Sequence, residues 1–577
     1  MRSTISRVLG GAILGSALLS GCTPNTTPHG DSGGATSKPA TRIVELEEVE
    51  TLSEEVANQL VEFSDAVRRR DLEQALTHLT DDFRGTPFEE SPPEDRVKVE
   101  PLPADTTRLV QTAFSSPVLR TKFLDSVESV LLPLTRIDHV FFKTRGAEFR
   151  PDRCNGDVRL TAHILGRGEG GAPFSLYAYA GGAVRRASLD EPWQLASFTL
   201  NKVIRLSRPT PLFTDVAAAA GLSVTLPRLG KNGNDKFYWR GAAIGDIDAD
   251  GRFDLFTSTH DQNYLYRNRG DGNFENNVKS AGIDAPPGST GPLFFDYDND
   301  GDDDLFLGFV GWVEDGAPGG ETLRLYRNDG AGKFEDVSDQ VGLSGYLTCA
   351  FSSVVADFNN DGWLDIYVCS YERLDKVYPN SWYRATNGNP NLLLENRGGD
   401  LFVDVAKTAG VAGTSWSYAA AAADYDGDGD ADLYVANDYG DNALYVNNGD
   451  GTFADQAEEL GVIDTGNGMG ATWGDTNGDG RLDLYVANMS SSAGNRILGR
   501  LAERSRSPEE AVLFKLAAGN SLFRQKETQG FLSHPSEQGG LGASWAWGVS
   551  FLDIDLDAVP DWYIANGFIS GDSLKDT

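Results

Sequence analysis

"DYDGDGDADLYVAND", residues 424–438, sets five aspartates in its first nine positions and then turns apolar. Aspartates this close repel one another, so the stretch reads as a catalytic cluster, a metal loop or a solvated acidic turn. The rest of the chain discriminates among these. Five more nonapeptides align on it: "DIDADGRFD" from Asp246, "DYDNDGDDD" from Asp296, "DFNNDGWLD" from Asp357, "DTNGDGRLD" from Asp475 and "DIDLDAVPD" from Asp553. Each is followed by a short apolar strand such as "LFLGF", "IYVCS" or "LYVAN". A second strand and tight turn come next, as in "NALYVNNGDGTF", and then a fourth element such as "FVDVAKTAGV". One unit is therefore four short antiparallel strands, the content of a propeller blade, repeated from about residue 207.

Within each nonapeptide, carboxylates or amides stand at positions 1, 3, 5 and 9. The sets are Asp246, Asp248, Asp250 and Asp254; Asp296, Asp298, Asp300 and Asp304; Asp357, Asn359, Asp361 and Asp365; Asp424, Asp426, Asp428 and Asp432; Asp475, Asn477, Asp479 and Asp483; and Asp553, Asp555, Asp557 and Asp561. Alternate positions on a tight loop aim their oxygens at one centre, and a glycine at position 6 allows the turn that returns position 9. Position 7, held by Arg252, Asp302, Trp363, Asp430 and Arg481, can add a backbone carbonyl. An all-oxygen set with flexible, high coordination suits Ca²⁺ better than Mg²⁺. Converging carboxylates stay ionised only around a cation, and six copies argue for scaffold rather than one asymmetric catalytic site. The expectation is five or six calcium ions, with the sixth loop weak because Ala558 replaces the glycine and Pro560 stands at position 8. Six Ca²⁺ would bring the formal net charge of −35 to about −23. EF-hands are disfavoured by strand-like flanks and the lack of a Glu at position 12. That charge also argues against nucleic acid and against adsorption to anionic lipid.

The runs "AAAADYDGDGDADLYVAND", "NGMGATWGDTNGDGRLDLYVANMSSSAGNR" and "WAWGVSFLDIDLDAVPDWYIANG" resemble FG-GAP/VCBS repeats, shared with integrin α-subunit propellers. They are closer still to a bacterial cartilage acidic protein-like branch, associated with ASPIC/UnbV. The resemblance implies a mainly β, calcium-binding β-propeller over 207–577 that serves adhesion or ligand binding. Seven blades are usual in such rings, whereas six loops are recognisable here. Either "LFTDVAAAAGL" (212–222) supplies the last blade's fourth strand, or a longer chain carries a seventh blade.

The region 44–206 reads as α then β. Leu52, Val56, Leu60, Phe63 and Val67 recur at helical spacing, with Thr51 and Glu54 as a capping signature. Asp71 opens a second helix bearing Leu72, Leu76 and Leu79, and a third is expected near 116–131. The strands "RIDHVFFKTRG", "DVRLTAHILGR", "FSLYAYAGGAVRRA" and "WQLASFTLNKVIRL" follow. This order resembles the small α+β cone-like fold of the nuclear transport factor 2 and ketosteroid isomerase group (also called SnoaL-like), in which an acid or base can line a cavity. Asp138, His139 and His163 are the polar residues on its candidate strands, with solvated or locally bonded roles as the plainer alternative.

Residues 1–21 pair Arg2 and Arg7 with the apolar run "VLGGAILGSALL" and end in Leu19-Ser20-Gly21-Cys22, which resembles a bacterial lipobox. The resemblance implies lipidation of Cys22 and a lipid-anchored protein of the bacterial cell envelope, touching the membrane through that lipid only. In a cell with two membranes, the sorting rule of such lipoproteins implies the outer membrane or cell surface, since Thr23 rather than Asp follows the cysteine. Residues 22–43 then read as a flexible tether. Cys349 and Cys369 flank the third loop on strands expected to pair, as a cross-strand bridge or as two buried hydrophobes.

Long insertions fall between the second and third strands of several blades: 311–320, 370–391 and 489–519. The last carries "SPEEAVLFKLAAG", with Ser507 as cap, Pro508 at the first turn and Gly519 as stop. They would gather on the face opposite the metal loops. Tyr371, Tyr378, Trp382 and Tyr383 there are candidates for an aromatic platform or for packing of the loop. Arg269-Gly270-Asp271 spells an adhesion tripeptide, but sits where sibling units carry a hairpin turn. The functional expectation is a cell-surface binding module for an extracellular protein or glycan. The alternative is an extracytoplasmic enzyme on polysaccharide or a small hydrophobic substrate. No catalytic residue is assigned, because no nucleophile motif, phosphate loop or cofactor fingerprint is present.

Overall fold

In the computed structural model the described residues are 39–102, 105–222, 241–259, 262–309, 322–372, 377–490, 508–534, 546–554, 556 and 559–566. Cys22, the signal-like run and most of the tether lie outside them, as do Asp555, Asp557, Ala558, the insertion 311–320 and most of 489–519. The chain divides into two compact units, one built mainly from residues up to Asp215 and one mainly from Val216 onward.

The first unit begins with α1 (Pro39–Arg68), which buries Leu52, Val56, Leu60, Phe63 and Val67, the residues its apolar spacing selects. The Thr51–Glu54 signature lies inside this helix and does not start it. Asp71 caps α2 (Leu72–Thr77) by accepting the Gln74 amide at 3.0 Å. That helix stops before Leu79, which opens a strand instead. The third helix, α3 (Arg120–Leu131), buries Phe123, Leu124 and Val127. Eight strands form one sheet: β1 (Leu79–Gly85), β2 (Val97–Leu102), β3 (Thr106–Gln111), β4 (Val118–Leu119), β5 (Arg136–Phe149), β6 (Asn155–Arg167), β7 (Pro173–Arg185) and β8 (Gln194–Ser207). Its path is β2-β3-β8-β7-β6-β5, all antiparallel, with β1 pairing β8 in parallel and β4 beside β1. The long final four strands match the sequence expectation; β1 to β4 are new. Phe63, Phe83, Phe88, Phe123, Phe142 and Phe198 interlock between helices and sheet.

The second unit is a succession of antiparallel sheets. Four strands make each of the first five: β9 (Ala242–Gly245) to β12 (Phe274–Asn276), β13 (Ser289–Phe295) to β16 (Phe334–Asp336), β17 (Ala350–Ala356) to β20 (Phe402–Asp404), β21 (Ser417–Ala423) to β24 (Phe453–Asp455) and β25 (Gly468–Gly474) to β28 (Phe531–Ser533). Among the described residues a sixth sheet holds two strands, β29 (Ala546–Leu552) and β30 (Asp561–Asn566). First strands of consecutive sheets lie side by side, β9 by β13 through to β25 by β29. Every residue of the second strands β14 (Asp304–Phe309), β18 (Asp365–Ser370), β22 (Asp432–Asn437) and β26 (Asp483–Asn488) is buried. Both their faces meet protein, which is why these strands read as apolar runs rather than alternating ones. Apolar cores accordingly fill the spaces between successive sheets: Phe256 with Leu307, Phe306 with Val368, Tyr367 with Val435, and Tyr434 with Val486.

The expected fourth element divides in two. A three-residue strand comes first, and the rest coils into a helical turn closed by a left-handed glycine, Gly282, Gly410 or Gly461. Val341, on such a turn, accepts the Phe402 amide of the next sheet at 2.9 Å. Residues 216–222 make the same gesture before the first sheet, Ala220 accepting the Phe274 amide at 2.8 Å, and 212–215 form no strand. The segment is a turn preceding its sheet, not a fourth strand for the last one. Cys369 lies opposite Ser352 in the register and Cys349 takes the Tyr371 amide on its carbonyl at 2.9 Å, so the two thiols are not bridged. Both are buried hydrophobes, and burial pushes the Cys369 thiol well up.

Candidate metal centres

Each aspartate loop joins the first strand of its sheet to the second, and one set of bonds shapes the first five. The first aspartate accepts the amides of positions 5 and 6: Asp424 takes those of Asp428 at 3.1 Å and Gly429 at 3.0 Å. Asp246, Asp296, Asp357 and Asp475 do the same in their loops. Position 5 then accepts the amide of position 7, as Asp428 does from Asp430 at 2.9 Å. This doubles the chain back, and positions 4 and 6 are both left-handed. Position 6 is glycine, with φ from +81° at Gly480 to +96° at Gly429. Position 4 is Ala249, Asn299, Asn360, Gly427 or Gly478, with φ between +53° and +80°.

The ninth-position aspartate is a clasp. Asp254, Asp304, Asp365, Asp432 and Asp483 are at most 1% exposed. Each accepts the amide of its loop's second residue on one oxygen and an amide from the end of the third strand on the other. Asp304, for example, takes Tyr297 at 3.1 Å and Asn328 at 2.8 Å. Burial pushes the Asp304, Asp365 and Asp432 carboxyls up to about 7, and Asp254 in the same direction.

Among the described residues, three of the loops gather three carboxylates each, and none gathers all four of positions 1, 3, 5 and 9. One oxygen each from Asp246, Asp248 and Asp250 lies within 4.8 Å of the others; so do Asp296, Asp298 and Asp300, and Asp424, Asp426 and Asp432. Asp298 Oδ1 is buried with no hydrogen-bond partner, and burial followed by the neighbouring Asp300 and Asp296 charges raises its carboxyl. An orphaned carboxylate oxygen inside an all-oxygen set fits a hard cation. The loops are not equivalent. In the first, Arg267 reaches Asp248 and Arg252 reaches Asp250, so guanidinium groups already meet the charge. In the fifth, Arg481 binds Asp479 at 2.6 Å. The arginines at position 7 thus contact carboxylates, while the third and fifth loops present an amide, Asn359 or Asn477, at position 3. In the sixth loop the Ile554 amide still reaches Asp561 at 3.0 Å, but Asp561 is exposed and Leu556 takes the left-handed position 4.

A second contact repeats from sheet to sheet, and no local sequence pattern announces it. The amide side chain ending each third strand donates to the second-position carbonyl of the preceding sheet's loop: Asn328 to Ile247, Asn396 to Tyr297 and Asn447 to Phe358, each at 2.8 Å, and Gln525 to Tyr425 at 3.1 Å. Loop, third strand and neighbouring loop are one bonded unit.

At the other end of the sheets the candidate platform comes apart. Tyr371 is 3% exposed, packed on Phe351, Trp416, Tyr418 and Tyr439, with its hydroxyl on the buried carboxylate of Asp438. It is core, not platform. Trp382 packs half-buried on Tyr439, Tyr383 is half-buried, and Tyr378 is 77% exposed. Asn467 also donates to Asp438, at 3.2 Å, and burial raises that carboxyl to about 6. The Arg269-Gly270-Asp271 tripeptide is a hairpin turn, with Gly270 and Gly272 left-handed and Asp271 holding the Asn273 amide at 3.0 Å. In the first unit Asp138 pairs with Arg136 at 2.5 Å, and His139 and His163 lie half-buried on the sheet face turned from α1. None of the three lines the interior.

The FG-GAP-like repeat pattern matches residues 246–307, 310–368, 382–435 and 424–486, so the chain carries FG-GAP-like repeats over these loops. Over 296 residues, 49% of this chain, it is 28% identical to cartilage acidic protein 1 of Mus musculus, and 27% identical to that of Homo sapiens. These matches span 44% and 43% of the relatives, so the chain aligns with less than half the length of either. Among solved structures, an Agrocybe aegerita lectin described as recognising non-reducing terminal N-acetylglucosamine aligns at a TM-score of 0.34 and 16% identity, over 80% of this chain and 93% of that one.

Proposed function

We propose that this chain is an envelope-anchored, calcium-stabilised binding module that presents one end of its sheets to an extracellular protein or glycan. The observation that carries this reading is the clasp geometry. The aspartates most suggestive of chemistry are spent on shaping and joining loops, which is scaffold work, while the connections of variable length leave from the opposite end of each sheet. Positions 1, 3, 5 and 9 of the loops would hold the ions, most strongly in the second and fourth loops, where no arginine stands at position 7 and no amide at position 3. FG-GAP-like repeats and the homology to cartilage acidic protein 1 support a binding or adhesion role. The lipobox-like Cys22 supports anchoring outside the cytoplasm.

The α-then-β unit supports a cone-like domain between anchor and repeats. An enzymatic reading of it gains no support, because the phenylalanine cluster fills the interior. The space left beside His78 is about 10 Å³, room for one water. The test is a binding screen of the chain from residue 39 onward, with the first helix intact, against arrayed glycans and extracellular proteins, in calcium and in chelator. A ligand held in calcium and released by chelator is the expected result. Turnover of an arrayed polysaccharide, or no binding in either condition, would contradict the proposal.

A further inference from the structure

The first unit carries an open cleft of about 370 Å³ on the sheet face turned away from α1. Arg145, Arg159, Thr161, Tyr179 and Asn201 line it. Two of these residues are there because the sheet is irregular. In β5 the register with β6 slips between Thr144 and Gly146, leaving Arg145 as the extra residue. In β8 the register with β7 slips between Leu200 and Lys202, leaving Asn201 as the extra residue. A bulge re-aims the side chain it adds, and here the bulges of two non-adjacent strands aim at one space.

Glycines complete the shape. Arg159 pairs across β6 with Gly146 on one side and Gly181 on the other. A Cβ on Gly146 would stand 2.7 Å from the Arg159 guanidinium, so the arginine lies across that strand where no other residue would let it. A Cβ on Gly181 would meet only the Val158 carbonyl, at 4.0 Å, so the floor beside Arg159 is open. Arg145 donates to the Tyr177 hydroxyl at 3.2 Å, which fixes its fork on this face. Among the described residues neither guanidinium pairs with a carboxylate; the acid next along β6, Asp157, is held by Arg150 at 3.3 Å. Two such forks are out of character for a chain of net charge −35.

We propose that this cleft binds the carboxylate of an acidic sugar. Two guanidinium forks match a carboxylate in planar, bidentate geometry. Tyr179, 43% exposed, lines the cleft beside them, and the exposed Asn201 amide offers a donor and an acceptor for ring hydroxyls. The volume suits one or two sugar rings. The site is independent of the sheet-end surface proposed above for the repeats.

The experiment is calorimetric titration of the chain from residue 39 onward, its first helix intact, with a glucuronate-containing disaccharide, its neutral glucose counterpart and sodium acetate. The acidic disaccharide should bind at least tenfold tighter than either control. Arg159→Gln and Arg145→Gln, both at exposed positions, should each weaken it about tenfold, and Gly181→Val should fill the cleft with the same effect. The melting temperature in calcium should hold in both arginine variants. Equal binding of the neutral sugar, equal binding of acetate, wild-type affinity in Arg159→Gln, or no binding of the acidic sugar would each overturn the proposal.

Discussion

The Nδ2 of Asn447 donates to the carbonyl of Phe358, 89 residues earlier in the chain and one sheet back, at 2.8 Å. The same nitrogen reaches the Ala431 carbonyl at 3.1 Å, and the Asn447 amide sits on Asp432 at 2.9 Å. One side chain thus ties a third strand to its own aspartate loop and to the loop before it. Asn447→Ala strands the buried Phe358 carbonyl and the half-buried Ala431 carbonyl, and should lower stability by about 1–3 kcal/mol. Asn448→Ala, its exposed neighbour, should stay within about 0.5 kcal/mol. Denaturant unfolding of the two variants makes the comparison.

The loop glycines separate by position. Gly429 has φ of +96°, in the left-handed range that glycine occupies at position 6 of the first five loops, and its Cβ would meet nothing within 4 Å. The cost of Gly429→Ala is therefore purely conformational, about 1–2 kcal/mol. Gly427→Asn should be nearly neutral, since Asn299 and Asn360 already hold the same left-handed position in sibling loops. Thermal unfolding would rank them.

Burial raises the clasp carboxyls Asp304, Asp365 and Asp432 to about 7, above their unfolded range near 4. Without metal, the folded chain then holds protons that the unfolded chain has released. These groups cost stability as pH rises from about 4 through 7. A cation favours their charged form and cancels that cost. The stabilisation by calcium, measured as the difference in melting temperature with and without chelator, should widen from pH 5 to pH 8. A constant or shrinking difference would refute this assignment.

The four aromatic residues at the other end of the sheets should behave unequally. Tyr371→Ala removes a buried ring and leaves Asp438 short of a donor, costing about 3–5 kcal/mol. Tyr378→Ala should leave stability within about 0.5 kcal/mol and affect only ligand capture. Melting curves beside a binding assay distinguish the two.

What was legible in the sequence was local. The nonapeptide spacing, the glycine at position 6 and the apolar second strands all arise within a dozen residues, and the structure shows each of them. The helix over 508–518 ends at the left-handed Gly519 for the same reason. What escaped depends on distant partners. Asn328, Asn396 and Asn447 stand just before each hairpin turn and read as turn residues, because their acceptors lie 81 to 99 positions away. Tyr371 reads as loop surface because the sequence does not show Trp416 and Tyr439 closing over it. The Arg145 and Asn201 bulges leave no sequence mark, since an extra residue in a strand is defined only by its neighbour's register.

The central claim is that the aspartate loops are calcium sites that hold the sheets together, and its most direct test is thermal unfolding in calcium against chelator. Calcium at one hundred times its Kd adds about 2.7 kcal/mol for each site coupled to unfolding. Several coupled loops should therefore lower the melting temperature by at least about 10 °C on chelation, with recovery in calcium but not in magnesium. The same melting temperature in both conditions would contradict the account.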